Sequence, residues 1–440
     1  MTRSLRDFVP LTENVVNMYV CGPTVYNYIH IGNARSAVAF DTIRRYFEYC
    51  GYTVNYISNF TDVDDKIIKA ANEAGISTKE LSDKFIAAFM EDTRQLGIKP
   101  ATQNPRVINY MDEIIAFVST LVDKGFAYVS EGDVYFRVAK SNNYAKLANK
   151  TLEDLEIGAS GRTDAETERK ENPLDFALWK AAKEGEVSWD SPWGPGRPGW
   201  HIECSVMATE ILGDTIDIHG GGADLEFPHH TNEIAQSEAK TGKTFANYWM
   251  HNGFVNVDNE KMSKSLGNFV TVHDMLQTVD GQVLRFFLAT QQYRKPINFT
   301  EKAIHDAEVN LKYLKNTHSL PLTEQVNQAE LQTYLDAFQE AMDDDFNTAN
   351  GVTVLFDMAK WINSGNYDQT VKDAFEKMLQ VFGIVFEEEV LDEDIEKLIE
   401  ERQAARANKD FATADRIRDE LAAQGIKLLD TKEGVRWTRD

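Results

Sequence analysis

Four side chains, Cys21, Cys204, His229 and Glu233, are of the types that hold a zinc ion. Cys21 closes an apolar run, Cys204 lies in His201-Ile202-Glu203-Cys204-Ser205, and His229 precedes Glu233 by four residues. Pro228 suits the first position of a helix, so His229 and Glu233 are expected on one helical face. Two thiolates, one imidazole and one carboxylate make a four-ligand zinc set, with sulfur at ~2.3 Å and nitrogen or oxygen at ~2.0–2.2 Å. The competing reading is that both cysteines are small buried apolar residues, as free cysteines commonly are.

A second group of residues suits phosphate chemistry. His30-Ile31-Gly32-Asn33 stands where a strand turns into a helix, and backbone N–H groups there favour anions. Gly32 permits close approach, and the His30 imidazole can donate to phosphate oxygens as charge develops. Much later, Lys261-Met262-Ser263-Lys264-Ser265 carries two cations on a loop bounded by Gly267, suited to neutralising a departing pyrophosphate. Each has a plain alternative: His30 as a helix cap, the lysines as an exposed basic loop. Gly220-Gly221-Gly222 with His219 and Asp224 reads as a glycine-rich turn able to approach a ribose and an ammonium group.

The elements that must carry these residues follow from the apolar pattern. Residues 15–21 (VVNMYVC) read as a buried strand, 30–47 as a helix and 53–57 as a parallel strand, a βαβ unit of an open α/β sheet. Helices are expected over about 64–126, mixed strand and turn over 127–196, and α/β character again from 201, so an insertion interrupts the sheet domain. Cys50 shares a helical face with Phe47 and is expected in the core. From about 301 the chain reads as a helix bundle with a loop at 319–324. Two further helices follow, then a hairpin of 426–429 with 435–438 about a turn at 432–434.

Composition narrows the classes. With 440 residues the chain has room for about three domains. Three cysteines are too few for a disulfide framework. The N-terminus lacks an apolar signal region and no run approaches the ~20 apolar residues of a membrane span, so a cytoplasmic location is expected. The net charge of −24 disfavours non-specific nucleic-acid binding, yet it is unevenly spread. Residues 301–396 hold 6 basic against 21 acidic residues, and 397–440 hold 10 against 9, a mixed tail beyond an acidic segment.

His-Ile-Gly-Asn paired with Lys-Met-Ser-Lys-Ser resembles the two signatures of class I aminoacyl-tRNA synthetases. Read in order, 19–35 (YVCGPTVYNYIHIGNAR), 59–67 (NFTDVDDKI), 196–205 (GRPGWHIECS), 217–239 (DIHGGGADLEFPHHTNEIAQSEA), 247–255 (NYWMHNGFV) and 261–268 (KMSKSLGN) resemble the cysteinyl-tRNA synthetase family over nearly the whole chain. The resemblance implies a class I Rossmann-type parallel sheet with an inserted connective domain, an α-helical bundle and a small C-terminal α+β domain. The expected bounds are 1–305 for the catalytic domain (insertion about 105–195), 306–388 for the bundle and 389–440 for anticodon binding.

It further implies activation of L-cysteine by ATP, with magnesium accompanying the nucleotide, and transfer to tRNA(Cys) by a monomer. One zinc ion on Cys21, Cys204, His229 and Glu233 would bind the substrate thiolate. His30, Asn33, Lys261 and Lys264 would be catalytic. ATP would meet His30, Gly32, Asn33, Gly221, Lys261 and Lys264, and the substrate would meet Thr61, Trp200, His219 and Asp224. Thr231 stands where relatives often have Glu and Asn33 where some class I enzymes have His; neither position is a ligand. Asp343-Asp344-Asp345-Phe346-Asn347-Thr348 resembles a bundle motif of the family. Arg402, Arg406, Arg416, Arg418, Arg436 and Trp437 are candidates for tRNA contact. The alternatives are a cysteine ligase of thiol biosynthesis acting on an amino sugar, which the synthetase-like tail disfavours, and a non-enzymatic RNA-binding relative, which would be free to lose these residues.

Overall fold

The structure, a computed structural model, describes residues 2–142, 144–150, 167–262, 267–324, 326, 328–386, 393–431 and 434–439. The first apolar run forms strand β1 (Val15–Val20), followed by helix α1 (Ile31–Tyr49) and strand β2 (Thr53–Ser58). β1 and β2 pair in parallel, Val15 opposite Thr53 and Val20 opposite Ser58. On the other side of β1 lies Ile216–Gly222 and beyond it Ala246–Asn252, both parallel, so the sheet runs β2, β1, Ile216–Gly222, Ala246–Asn252. Ligands of such sheets collect at the carboxyl ends of the strands, where the order reverses.

The two-residue period of β1 sends its side chains into different layers. Val16, Met18 and Val20 pack with Phe40, Ile43 and Phe47 of α1. Tyr19, with Cys21 packed alongside, joins the opposite layer of Trp179, Ile202 and Cys204. Cys21 is thereby delivered to the face that carries Cys204.

Between β2 and Ile216–Gly222 the chain forms helices Asp65–Ala74, Thr78–Gln95 and Met111–Asp123, then an antiparallel sheet in the order Ala127–Ser130, Asp133–Phe136, Phe176–Ala181, Gly196–Pro198. Helix Trp200–Leu212 returns the chain to the parallel sheet. A short sheet of Val255–Val257, Glu260–Lys261 and Ile297–Phe299 follows, and then helices Glu301–His318, Gln328–Asp343, Thr348–Asn363 and Gln369–Val381. These belong with everything before them to one compact unit, Met1–Val385.

The second unit, Phe386–Asp440, packs helices Glu393–Ala407 and Phe411–Ala423 and the hairpin Ile426–Thr431/Gly434–Arg439 around Ile395, Ile399, Ile417, Leu421 and Ile426. The expected turn at 432–434 falls partly outside the described residues, and Gly434 opens the second strand. Among the described residues no helix is long and apolar enough to cross a membrane.

Cys50 and the glycine run depart from expectation, and the helix at Pro228 does not. Cys50 is exposed, not core: α1 ends at Tyr49, so Cys50 is its C-cap and leaves the packed face. Gly220–Gly222 form the end of a strand rather than a turn, Gly220 paired on both sides and Gly221 and Gly222 with Ala246–Asn252 alone; the turn follows at Ala223–Leu225. The helix after Pro228 opens as expected: Phe227, preceding proline, is extended (φ −141°, ψ 131°), His230 and Thr231 are helical, and His229 Nε2 meets Glu233 Oε1 one turn on at 3.0 Å.

Candidate active site and metal centre

At the carboxyl end of β1, donor atoms of Cys21, Cys204, His229 and Glu233 all lie within 4.8 Å of one another. Each comes from a different local device: the strand end, the first turns of helix Trp200–Leu212, the turn Glu226–His230, and the first turn of helix Thr231–Thr241. Cys21 Sγ stands 3.7 Å from Cys204 Sγ and 3.5 Å from Glu233 Oε1, and His229 Nε2 is 3.0 Å from Glu233 Oε1. Tetrahedral ligands at ~2.0–2.3 Å from zinc are ~3.3–3.8 Å apart, so the two separations from Cys21 fall in that range, the His229–Glu233 pair stands slightly closer, and the donor set suits the ion.

A second group, Cys21, His219, His230 and Glu233, shares two of these residues. There His219 Nε2 bonds Glu233 Oε2 at 2.6 Å, and His230, paired through Nδ1 with His251 Nε2 at 2.8 Å, brings Nε2 to 3.4 Å from Cys21 Sγ. The first group, with two sulfurs, is the more zinc-like donor set.

The surroundings orient these donors and set their charge. His201 Nδ1 lies 2.9 Å from His229 Nδ1, so the ring presents Nε2 to the cluster. Burial holds His201 well below the ordinary histidine range, in the neutral form that can accept this bond. The Cys21 thiol donates to Cys204, whose pKa falls to about 6. Cys21 itself is raised, chiefly by burial. Burial opposes charge on His229, but Glu233 and Cys204 more than offset it and raise its pKa to about 10. Burial likewise opposes charge on Glu233, yet His219 and His229 keep it well below the carboxylate range. The site is thus poised to exchange protons on Cys21 and His229 for a divalent cation.

Trp200 stacks on His229 with ring centroids 4.2 Å apart and remains 41% exposed, a wall between the cluster and the adjoining cleft. That cleft has a volume of about 1050 Å³. His30, Gly32, Asn33, Asp224 and Lys261 line it together with Cys21.

His30 is the N-cap of α1. Its Nδ1 accepts from Asn33 N and Asn33 Oδ1 accepts from His30 N, both at 3.2 Å. An imidazole that accepts at Nδ1 carries its proton on Nε2, so the cap fixes a donor tautomer. A Cβ on Gly32 would sit 2.9 Å from the His30 ring. The second signature is brought here by backbone bonds, Ile31 N to Val270 O at 3.1 Å and Val272 N to Ile29 O at 2.9 Å. Lys264 lies outside the described residues.

Other predicted residues lie behind the cleft wall. Thr61 is buried and donates to Glu203 Oε2 at 3.2 Å. His219 is fully buried, held by Glu233 and stacked on Trp249 at 4.6 Å. Gly221 is buried in its strand, whereas Asp224 is exposed at the rim. Thr231 is buried and donates to Glu226 O at 2.8 Å. In the tail unit Arg406, Arg416 and Arg418 are exposed, but Arg402 is buried and Trp437 packs on the core; the side chain of Arg436 is outside the described residues.

Sequence reasoning gave no role to His201, Glu203 or His230. Their signal was present, since His201 lies one helical turn before Cys204 and His230 adjoins His229, but only the fold puts them against the donors.

The model of the tRNA synthetases class I (C) catalytic domain matches residues 7–309, that of the DALR domain 337–387, and that of the cysteinyl-tRNA ligase anticodon binding domain 388–437. Cysteine–tRNA ligase of Streptococcus thermophilus (strain CNRZ 1066) is 95% identical over 440 residues, spanning 100% of this chain and 98% of the relative. The ligase of Streptococcus pyogenes serotype M6 is 84% identical over the same shares. Mycobacterium tuberculosis methionyl-tRNA synthetase in complex with methionyl-adenylate superposes with a TM-score of 0.61 at 15% identity, covering 84% of this chain and 89% of that one. The Agrobacterium radiobacter K84 agnB2 LeuRS of a ternary complex gives 0.59 at 11% identity, covering 86% and 84%. The last two show a shared fold; with the domain models and the near-identical relatives, they establish that this chain belongs to the class I cysteine–tRNA ligase family.

Proposed function

We propose that the chain activates L-cysteine with ATP to cysteinyl-adenylate and transfers the cysteinyl group to tRNA(Cys), and that one zinc ion on Cys21, Cys204, His229 and Glu233 selects the substrate thiol. The observation that carries this reading is the convergence of a sulfur-rich donor set and the His30 cap on one cleft. The substrate carboxylate attacks the α-phosphate of ATP, which enters with magnesium, and pyrophosphate leaves. His30 donates from Nε2 to the phosphates, Asn33 holds that tautomer, and Lys261 with Lys264 offsets charge on the departing pyrophosphate. Trp200 and the buried Thr61–Glu203 pair shape the amino-acid end of the cleft. The terminal ribose hydroxyl of tRNA then attacks the adenylate carbonyl, again by positioning.

Cysteine and serine differ by one atom, and shape alone separates such near-isosteres by about 10²-fold. When bound, zinc supplies a soft Lewis acid that prefers a thiolate to a neutral hydroxyl. The test is ATP–pyrophosphate exchange with each of the twenty amino acids, and zinc content of wild type and Cys204→Ser. Cysteine alone should support exchange, with about one zinc per chain. The variant should lose zinc and most of its cysteine activation. A zinc-free variant that still activates cysteine normally and rejects serine overturns the metal's role. Charging assayed with tRNA(Cys) and with an amino sugar separates the ligase of thiol biosynthesis, which the match of residues 388–437 to an anticodon-binding domain disfavours.

A further inference from the structure

The segment from Leu288 to Lys295 touches no reacting group, yet three parts of the first unit grip it. From α1, the buried Arg35, five residues after His30, donates to four of its carbonyls, Leu288 O, Gln291 O at 3.2 Å, Gln292 O at 3.0 Å and Tyr293 O at 3.4 Å. From the link between strands Ala246–Asn252 and Val255–Val257, on the way to Lys261, Gly253 N donates to Tyr293 O at 2.8 Å. A Cβ on Gly253 would fall 2.5 Å from Lys295 C and 2.6 Å from Arg294 O, so the chain approaches this closely only as glycine.

From the bundle comes Asp345. Its Oδ1 accepts from Tyr293 Oη at 2.9 Å, and its Oδ2 pairs with Arg294 Nη2 at 2.5 Å and accepts from Gln292 Nε2 at 3.3 Å.

The turn that presents Asp345 is itself costly. Asp345 and Phe346 both have φ of +52°, a left-handed conformation that consecutive residues with side chains rarely adopt. Phe346 holds it by packing on Tyr46 and Phe47 of α1, with ring centroids 6.0 and 5.3 Å apart. Apolar contact of this kind would suffice to dock the bundle. A strained backbone aiming one carboxylate at three consecutive side chains does more, because it fixes the register of the segment that both nucleotide signatures lean on.

We infer that Asp345 is a positioning residue for adenylate formation, through which the helical bundle sets the spacing between the His30 turn and the strand carrying Lys261. This rests on the cysteine-activating reading above. It predicts a defect in rate rather than in binding, since a ~1 Å misplacement of catalytic groups can cost about 10²-fold while ground-state contacts survive.

The experiment is single-turnover adenylate formation at saturating ATP and cysteine for wild type, Asp345→Ala, Asp345→Asn and Tyr293→Phe, with cysteine affinity, metal content and melting temperature measured alongside. Asp345→Ala should slow the step about tenfold or more, with cysteine affinity and metal content within twofold of wild type. Asp345→Asn, which still accepts from Tyr293, should recover part of the rate. Asp345→Ala in the Tyr293→Phe background should cost less than in wild type, because both remove one contact.

An Asp345→Ala protein that melts like wild type and reacts within twofold of its rate overturns the inference, as does a loss shared equally by rate and cysteine affinity. If Asp345→Ala does not fold, Tyr293→Phe, which deletes one hydroxyl, decides alone, and an unchanged rate overturns it. A wild type that forms no cysteinyl-adenylate brings down the functional reading and this one together, whereas an active wild type with indifferent variants brings down this one only.

Discussion

At the scale of single residues, the same atoms serve structure and chemistry. His30 was open to two readings, cap or phosphate ligand, and it is placed for both: capping uses Nδ1 and thereby fixes the proton on Nε2. Lys261 borders the cleft, and Lys264 is known here from sequence alone. A cation that meets pyrophosphate as it departs acts on the transition state more than on bound substrate. Lys264→Ala is therefore expected to slow adenylate formation by ~10²-fold or more while cysteine affinity stays near wild type. Rapid-quench measurement of adenylate decides, and an unchanged rate removes the loop from the mechanism. Cys50 carries the opposite lesson: its spacing from Phe47 suggested the core, but a helix that ends one residue earlier turns its last position outward.

At the scale of elements, α1 is both the signature helix and a beam held at its middle by charge. Asp41, 2% exposed, pairs with Arg45 at 2.7 Å and with the fully buried Arg285 at 2.6 Å. Arg285 Nε also donates to Phe382 O at 2.8 Å, at the close of the last bundle helix. Burial would raise the Asp41 carboxyl, but Arg285 and Arg45 more than offset this and hold it below the ordinary aspartate value. A depressed folded pKa contributes stability that is full above the unfolded value of ~3.9 and lost as pH falls through the folded one. Asp41→Asn leaves Arg285 buried without its counter-charge, so at neutral pH it should cost about 3–5 kcal/mol. Denaturant unfolding across pH should show the gap between wild type and variant narrowing below about pH 4, where wild-type Asp41 also becomes neutral. A constant gap would mean that shape and not charge accounts for the loss.

At the scale of the whole molecule, the residues that match the class I catalytic-domain model (7–309) and those that match the anticodon-binding-domain model (388–437) fall in different compact units, Met1–Val385 and Phe386–Asp440. Residues 301–385 hold 14 acidic against 6 basic residues, and the second unit 16 against 10, with Arg406, Arg416 and Arg418 exposed on it. Removing residues 387–440 should leave cysteine-dependent pyrophosphate exchange within about threefold and reduce tRNA charging by ~10²-fold or more, since phosphate contacts dominate such affinity. Exchange and charging assayed on the same truncated preparation decide this. Equal loss of both would mean that the tail supports the first unit rather than the tRNA.

The sequence by itself determined the order of elements and the βαβ entry with its apolar periods, and its family resemblance pointed to Cys21, Cys204, His229 and Glu233, whose donor atoms the fold brings together. Those follow from local chemistry: side-chain period, capping and ligand type are legible within a few residues. Tertiary structure alone decided that His201 backs His229, that His219 and Thr61 stand behind the wall, and that Arg402 is buried in the tail unit. It also decided that Asp345 meets Tyr293, 52 positions apart in the chain. The physical reason is that strand pairing and helix packing join residues by geometry, and no local pattern encodes which distant partner a buried polar group will find.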